Sequence, residues 1–162
     1  MIEVYHGSTL EIVQPLVKVG RPNLDFGRGF YLTDIREQAE ELSMRLAERK
    51  ELQPIVNVYN LDMDKVKNLW KYHRFEAYDI EWLQFIVDCR MGSHIWETYD
   101  VIEGGVANDR VIDSIEAYIA GYMPLERVLE ELSKHQPNNQ ICITNQSVIA
   151  DCLTFNKSYH VK

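Results

Sequence analysis

Three residues near the start of the chain offer side chains or backbone suited to chemistry: His6, Gly7 and Ser8, in the stretch YHGS. They follow a short alternating run, residues 2–5, which predicts a first β-strand. A turn after a strand requires only a glycine and a polar residue. His6 is therefore either a polar group at a strand end or a side chain that touches the same ligand as the backbone of Gly7.

Several familiar catalytic and binding motifs are absent from the sequence. The stretch DFGRGFYL contains Gly27 and Gly29, but no third glycine opens a helix and no Lys-Ser or Lys-Thr pair follows. It therefore predicts a turn shaped by glycine, not a dinucleotide or phosphate loop. The histidines lack the spacing of metal ligands, and there is no Gly-x-Ser-x-Gly stretch. We expect no metal site and no serine nucleophile.

The composition indicates one compact domain, residues 1–162, in a reducing compartment. The three cysteines are odd in number and have no CxxC spacing, which favours reduced core thiols. A net charge of −8 without a Lys/Arg cluster makes a protein partner more favoured than nucleic acid. Neither an export signal nor a membrane-spanning stretch is apparent. We therefore expect a cytoplasmic protein without membrane contact, or one delivered to another cell by a route that the sequence does not reveal.

Short strands and helices alternate along the chain and must position these residues. The stretch TDIREQAEELSMRLAERK, residues 33–50, predicts an amphipathic helix opened by a capping box of Asp34 and Glu37. The pattern as a whole indicates a mixed α/β or α+β domain. Further strands are predicted at 29–33, 55–62, 99–107, 140–145 and 153–161, and further helices within 64–90 and at 109–120 and 124–134.

Three stretches, in this order, resemble the signature strands of the ADP-ribosyltransferase superfamily: YHGS with His6, FGRGFYLT with Tyr31, and PNNQICIT with Gln140. The resemblance is to the branch that includes diphtheria toxin and the poly(ADP-ribose) polymerases. More narrowly, DFGRGFYLT and VANDRV resemble a bacterial family catalogued as a domain of unknown function and grouped with these enzymes. The resemblance implies an α+β, ADP-ribosyltransferase-like single domain with a split mixed/antiparallel β-sheet core and flanking helices. It also predicts that the three side chains line one cleft.

If the chain binds NAD as these relatives do, the resemblance implies roles for several residues of the first two stretches. The backbone of Gly7 would bond to the nicotinamide carboxamide, and the hydroxyl of Ser8 would add a hydrogen bond. His6 would bond to a hydroxyl of the adenosine ribose. Tyr31 would form an aromatic wall for the nicotinamide ring, and Gly27 and Gly29 would let the backbone bend around the pocket.

Gln140 stands where the family has glutamate, and the resemblance implies that it acts with His6 and Tyr31 in catalysis. Its amide carbonyl accepts a hydrogen bond from a ribose hydroxyl, but it carries no negative charge and cannot act as a general base. Gln140→Glu is therefore expected to add a charge matched to the cation that develops on the ribose. A second departure is Leu42, which stands near the place where the branch has another stacking tyrosine.

These features leave three hypotheses for the function. The first is an NAD-dependent mono-ADP-ribosyltransferase that releases nicotinamide and passes ADP-ribose to an unknown acceptor, in the manner of a bacterial toxin or effector with an antitoxin or other neutralising partner. The second is a catalytically silent module that binds NAD or ADP-ribose. The third is an interaction protein that only retains the fold. Taken alone, Tyr31 fits an ordinary strand aromatic and Gln140 a solvated strand residue.

Overall fold

The computed structural model describes residues 1–134 and 138–162 and has an α+β architecture. Pro137, which opens the stretch PNNQICIT, lies outside the described residues. The strands are β1 (Ile2–Ser8), β2 (Phe30–Leu32), β3 (Ile55–Leu61), β4 (Tyr72–Arg74), β5 (Val101–Gly104), β6 (Gln140–Ile143) and β7 (Leu153–His160). The helices are α1 (Arg36–Lys50), α2 (Met63–Leu69), α3 (Ile80–Arg90), α4 (Asp109–Ile119), α5 (Leu125–Leu132) and α6 (Gln146–Cys152).

The strands form two sheets that meet at one point. One sheet is antiparallel, in the order β1-β3-β7. The other is mixed, in the order β2-β6-β5-β4, because β4 and β5 are parallel and the other pairs are antiparallel. An isolated bridge between Tyr5 and Thr33 joins β1 to the chain just after β2. The fold therefore has a split sheet with flanking helices.

The first strand is longer than the sequence predicts. It continues to Ser8 because it pairs with β3 along its whole length, from Ile2 opposite Leu61 to Ser8 opposite Ile55. His6 and Gly7 therefore lie inside a strand instead of in the turn after it. The short strand β4 and the short helix α6 were not predicted, since elements of this length hold too few residues to reveal a period.

The helix after β2 begins later than predicted and has a different cap. Its N-cap residue is Ile35, without a side-chain bond, so the capping box of Asp34 and Glu37 is not formed. Instead, the hydroxyl of Thr33 accepts a hydrogen bond from the Ile35 N–H at 3.0 Å. The helix has 15 residues and a largely polar outer surface. In the described ranges, no helix has the length and apolarity needed to cross a bilayer.

The mixed sheet is covered on both faces, which explains why every residue of β6 is buried. Helices α3, α4 and α5 pack on one face, around Trp82, Ile115 and Leu132, and the antiparallel sheet covers the other face through residues such as Tyr59. All three cysteines are free and buried, so they lie in the core as predicted. Burial raises the pKa of the Cys89 thiol to about 12, so this thiol stays protonated at neutral pH.

Candidate functional site

An opening lies where β1 and β2 diverge. The N–H of Tyr5 donates to the carbonyl of Thr33 at 2.8 Å, and the N–H of Thr33 donates back at 2.9 Å. A continued ladder would next join Gly7 to Tyr31, but the Tyr31 carbonyl instead contacts Nδ1 of His6 at 2.6 Å. Because backbone groups alternate sides along a strand, the N–H and C=O of Gly7 point the same way as those of Tyr5. The opening therefore presents one backbone donor and one backbone acceptor.

The back of this opening is formed by helix α1, and Gly7 allows the helix to approach. A Cβ at Gly7 would overlap the carbonyl oxygen of Ala39 and lie 3.0 Å from the backbone nitrogen of Ser43. Both are backbone atoms of a long helix, which cannot move aside as a side chain does. Gly7 is thus required for packing, in addition to any role that its backbone has toward a ligand.

His6 is held in one tautomer by its neighbours. A carbonyl oxygen only accepts hydrogen bonds, so the 2.6 Å contact with Tyr31 requires a proton on Nδ1. The ring also stacks on Phe30, with centroids 4.4 Å apart. Burial lowers the pKa of His6, against an opposing effect of the bond to the Tyr31 carbonyl. The neutral ring therefore keeps Nε2 as a hydrogen-bond acceptor.

Tyr31 is fixed at its hydroxyl by the loop that precedes β2. The hydroxyl donates to the carbonyl of Gly27 at 2.6 Å and accepts from the N–H of Phe26 at 2.9 Å. Burial raises the pKa of the phenol well above its ordinary value, so the hydroxyl remains a donor. These two bonds leave the hydroxyl engaged, and the side chain serves as a rigid aromatic surface.

Gln140, the first residue of β6, is only 8 % exposed. Its Nε2 donates to Oδ2 of Asp25 and to the carbonyl of Gly105, both at 3.2 Å. Both partners are acceptors only, which defines the orientation of the amide. Within the described part of the chain, no protein donor reaches its Oε1. That carbonyl oxygen is the atom left for a ligand.

Asp25 and Arg90 belong to this site but were missed by sequence reasoning. Asp25 is 7 % exposed and receives two bonds from Arg90 on Oδ1, with the Nε–Oδ1 distance at 3.1 Å. Its Oδ2 accepts from the N–H of Ala107 at 3.1 Å as well as from Gln140. The sequence around Asp25, in the stretch DFGRG, does not indicate an ion pair. Its partner Arg90 lies 65 residues later in the chain, at the end of α3.

Two adjoining cavities occupy the cleft, with volumes of about 510 Å³ and 150 Å³. Both are lined by His6, Tyr31, Leu42 and Gln140, so the structure brings together the three residues that the sequence places far apart. The larger cavity has a mainly apolar outer wall from the loop after β1 and from α1: Ile12, Leu16, Val19, Leu24, Leu42 and Leu46. Each cavity has an exposed arginine at its rim: Arg21 at the larger cavity and Arg45 at the smaller one.

The other residues predicted for the site have different positions. Gly29 lines the larger cavity, and a Cβ there would overlap Sγ of Cys142, so this glycine also serves packing against β6. Ser8 lines neither cavity, and its hydroxyl accepts from the N–H of Leu10 at 3.2 Å. Leu42 is 40 % exposed and presents an aliphatic surface to both cavities. Among residues 1–134 and 138–162, no group of three or more potential ligands is arranged to hold a metal ion.

The partly buried His6 gives the first testable prediction: the wild type should lose stability as the pH falls from about 7 to 5. The unfolded chain takes up a proton near the ordinary histidine pKa of about 6.5. In the folded chain the pKa is lowered, so protonation requires a lower pH. Between the two values the unfolded state binds more protons, and the free energy of unfolding falls by at most about 1.4 kcal/mol per pH unit.

Urea denaturation at several pH values measures this slope. His6→Gln removes the titrating group and should flatten the slope, whereas His160→Gln, at an exposed position on β7, should not. An equal slope in the wild type and in His6→Gln would contradict the prediction.

Comparison with known proteins identifies the family of the chain. A comparison with curated proteins finds no match. Residues 2–155, nearly the whole chain, match the family described as "Protein of unknown function (DUF3990)". The match includes β1, β2 and β6, which carry His6, Tyr31 and Gln140. The chain therefore belongs to the DUF3990 family.

Proposed function

We propose that the protein is an NAD-dependent mono-ADP-ribosyltransferase with an ADP-ribosyltransferase-like fold. The observation that carries the proposal is the opening beside Gly7, which His6, Tyr31 and Gln140 surround. A nicotinamide carboxamide has one carbonyl acceptor and one amide donor. The backbone N–H and C=O of Gly7 complement these two groups, as an added strand would.

The rest of the cleft suits the other parts of NAD. The neutral His6 offers Nε2 as an acceptor for a hydroxyl of the adenosine ribose. The apolar outer wall suits the adenine ring. In a chain with a net charge of −8, Arg21 and Arg45 at the rim provide cations for the diphosphate. The partners proposed here are therefore NAD and an acceptor, with a protein acceptor favoured over nucleic acid.

The proposed chemistry is displacement at C1′ of the nicotinamide ribose. The C1′–N bond breaks, its electron pair leaves with nicotinamide, and positive charge develops on the ribose. A lone pair of the acceptor then bonds to C1′, and the acceptor's proton passes to solvent. With water as the acceptor, the products are ADP-ribose, nicotinamide and a proton. Gln140 would accept a hydrogen bond from the ribose 2′-hydroxyl through Oε1 and so stabilise the cation.

A second candidate function is supported by Gln140 itself. Because an amide has no charge, it stabilises a developing cation less well than a glutamate does. A module that holds NAD or ADP-ribose without turnover would keep the contacts of Gly7 and His6 and need no carboxylate at position 140. Measured nicotinamide release separates this candidate from the transferase.

Binding is tested by the melting temperature of the protein in the presence of NAD. At NAD concentrations about 20 times the dissociation constant, mass action adds about 1.8 kcal/mol, or about 4–7 °C for a chain of this size. Nicotinamide alone should give a smaller shift, at higher concentration. His6→Ala should reduce the NAD shift to less than about a third, because the adenosine ribose loses its acceptor.

The exposed His160→Ala is the matched control and should keep the full shift. If His6→Ala does not fold, His6→Gln provides the same comparison with a smaller change of volume. An unmoved melting temperature for the wild type at millimolar NAD would count against both candidate functions.

A further inference from the structure

Asp25 is a buried carboxylate that touches Gln140 and lines the larger cavity. We infer that Asp25 is a positioning residue for the reaction, which orients and polarises the amide of Gln140 and supplies the negative charge that this amide lacks. The inference rests on the proposed function, since it describes how a site with glutamine at position 140 favours nicotinamide release. It rests on three contacts of the carboxylate.

The first contact sets the direction of the amide. Nε2 of Gln140 has two protons, and Asp25 Oδ2 and the Gly105 carbonyl accept them at 3.2 Å each. In the flipped orientation, Oε1 would face two acceptors with no proton between them, which is unfavourable in a buried site. Oε1 is therefore directed away from Asp25, as a ribose hydroxyl requires.

The second and third contacts hold the carboxylate in place with its two oxygens in different roles. Arg90 binds Oδ1, whereas Oδ2 accepts from Gln140 and from the N–H of Ala107. The guanidinium of Arg90 therefore lies on the side of the carboxylate that faces away from the Gln140 amide. A carboxylate that accepts from the NH₂ group draws electron density toward Oε1, since linked hydrogen bonds polarise one another. The ribose hydroxyl would meet a stronger acceptor than an isolated glutamine provides.

This arrangement changes the expected effect of Gln140→Glu. The introduced carboxyl would lie about 3 Å from Asp25 Oδ2 and from the Gly105 carbonyl, in place of a donor. Two carboxylates at this distance repel each other and Arg90 compensates only one of the two charges, so ionisation of the introduced carboxyl is disfavoured. The single substitution should therefore bring no increase in rate. In Asp25→Asn/Gln140→Glu the pair again has one negative charge, now on the residue that faces the ribose.

The test combines an NMR signal with the kinetics of nicotinamide release. In the wild type, the side-chain amide of Gln140 should give a protected signal, assigned by its loss in Gln140→Ala. Asp25→Asn should shift or remove it, lower kcat about tenfold, and leave KM for NAD within about threefold. Asp25→Asn/Gln140→Glu should recover kcat to at least the wild-type value. If Asp25→Asn does not fold with Arg90 unpaired, Asp25→Asn/Arg90→Gln removes both charges and serves instead.

Glu103→Gln is the matched control, because Glu103 is also a carboxylate that is 7 % exposed and lies on the strand next to that of Gln140, but it bonds to Tyr72 and Asn139. It should keep both the amide signal and kcat. An unchanged Gln140 signal, or an unchanged kcat, in the Asp25 variants would overturn the inference. A wild type that binds no NAD would instead overturn the proposed function, and one that binds NAD without releasing nicotinamide would overturn the transferase. In both cases the amide signal still decides whether Asp25 orients Gln140.

Discussion

Gln140→Ala is expected to lower kcat for nicotinamide release about a hundredfold and to change KM for NAD less than about threefold. Oε1 would bond to the ribose hydroxyl most strongly when positive charge develops. Its loss should therefore raise the energy of the transition state and change the affinity for NAD little. A hydrogen bond to a charged group contributes up to about 3 kcal/mol, which corresponds to about a hundredfold in rate. This is the largest rate effect that the site predicts for one side chain.

Chromatography of released nicotinamide, over a range of NAD concentrations, gives kcat and KM for each variant. Gln84→Ala, at an exposed position on α3, is the matched glutamine control and should behave as the wild type. Equal kcat values for the wild type and Gln140→Ala would mean that Gln140 is not at the reacting centre. If Gln140→Ala instead raised KM for NAD about a hundredfold and left kcat unchanged, Gln140 would be a binding residue.

Gly7→Ala is expected to lower the free energy of unfolding by about 3 kcal/mol, the upper end of the usual cost of overpacking. The added methyl group would overlap the carbonyl oxygen of Ala39, and neither the strand nor the helix backbone can move without breaking its own hydrogen bonds. For a chain of this length the melting temperature should fall by about 6–12 °C.

Thermal and urea unfolding of Gly7→Ala and Gly121→Ala test this explanation. Gly121 has φ of +83° and open space around it. Alanine there should lower the free energy of unfolding by only about 1–2 kcal/mol, because of its backbone conformation alone. A smaller loss in Gly7→Ala than in Gly121→Ala would show that α1 does not press on β1 as described.

Much of the fold was predictable because its long elements carry a strong periodic signal. Helix α1 and strand β3 lie inside their predicted ranges, and the stretch 64–90, predicted as one or two helices, contains two helices, α2 and α3, with the unpredicted strand β4 between them. The errors are at short elements and at ends. The capping box is not formed because the N-cap residue is Ile35 and not Asp34. Strand β1 was predicted too short because its pairing with β3 is a long-range contact.

The sequence by itself determined which residues stand in the motifs: His6 and Gly7 directly after the predicted first strand, Tyr31 on the second, and Gln140 at the start of a late strand. It did so because strand periodicity and residue types are local properties of the chain. It also determined that position 140 carries no charge.

Only the tertiary structure decided what surrounds these residues. The divergence of β1 and β2 frees the backbone of Gly7, and the ion pair of Asp25 and Arg90 stands behind Gln140. Both depend on contacts between residues far apart in the chain, which no local pattern encodes. The packing of the two sheets and α3 brings a carboxylate from one loop against an amide 115 residues later.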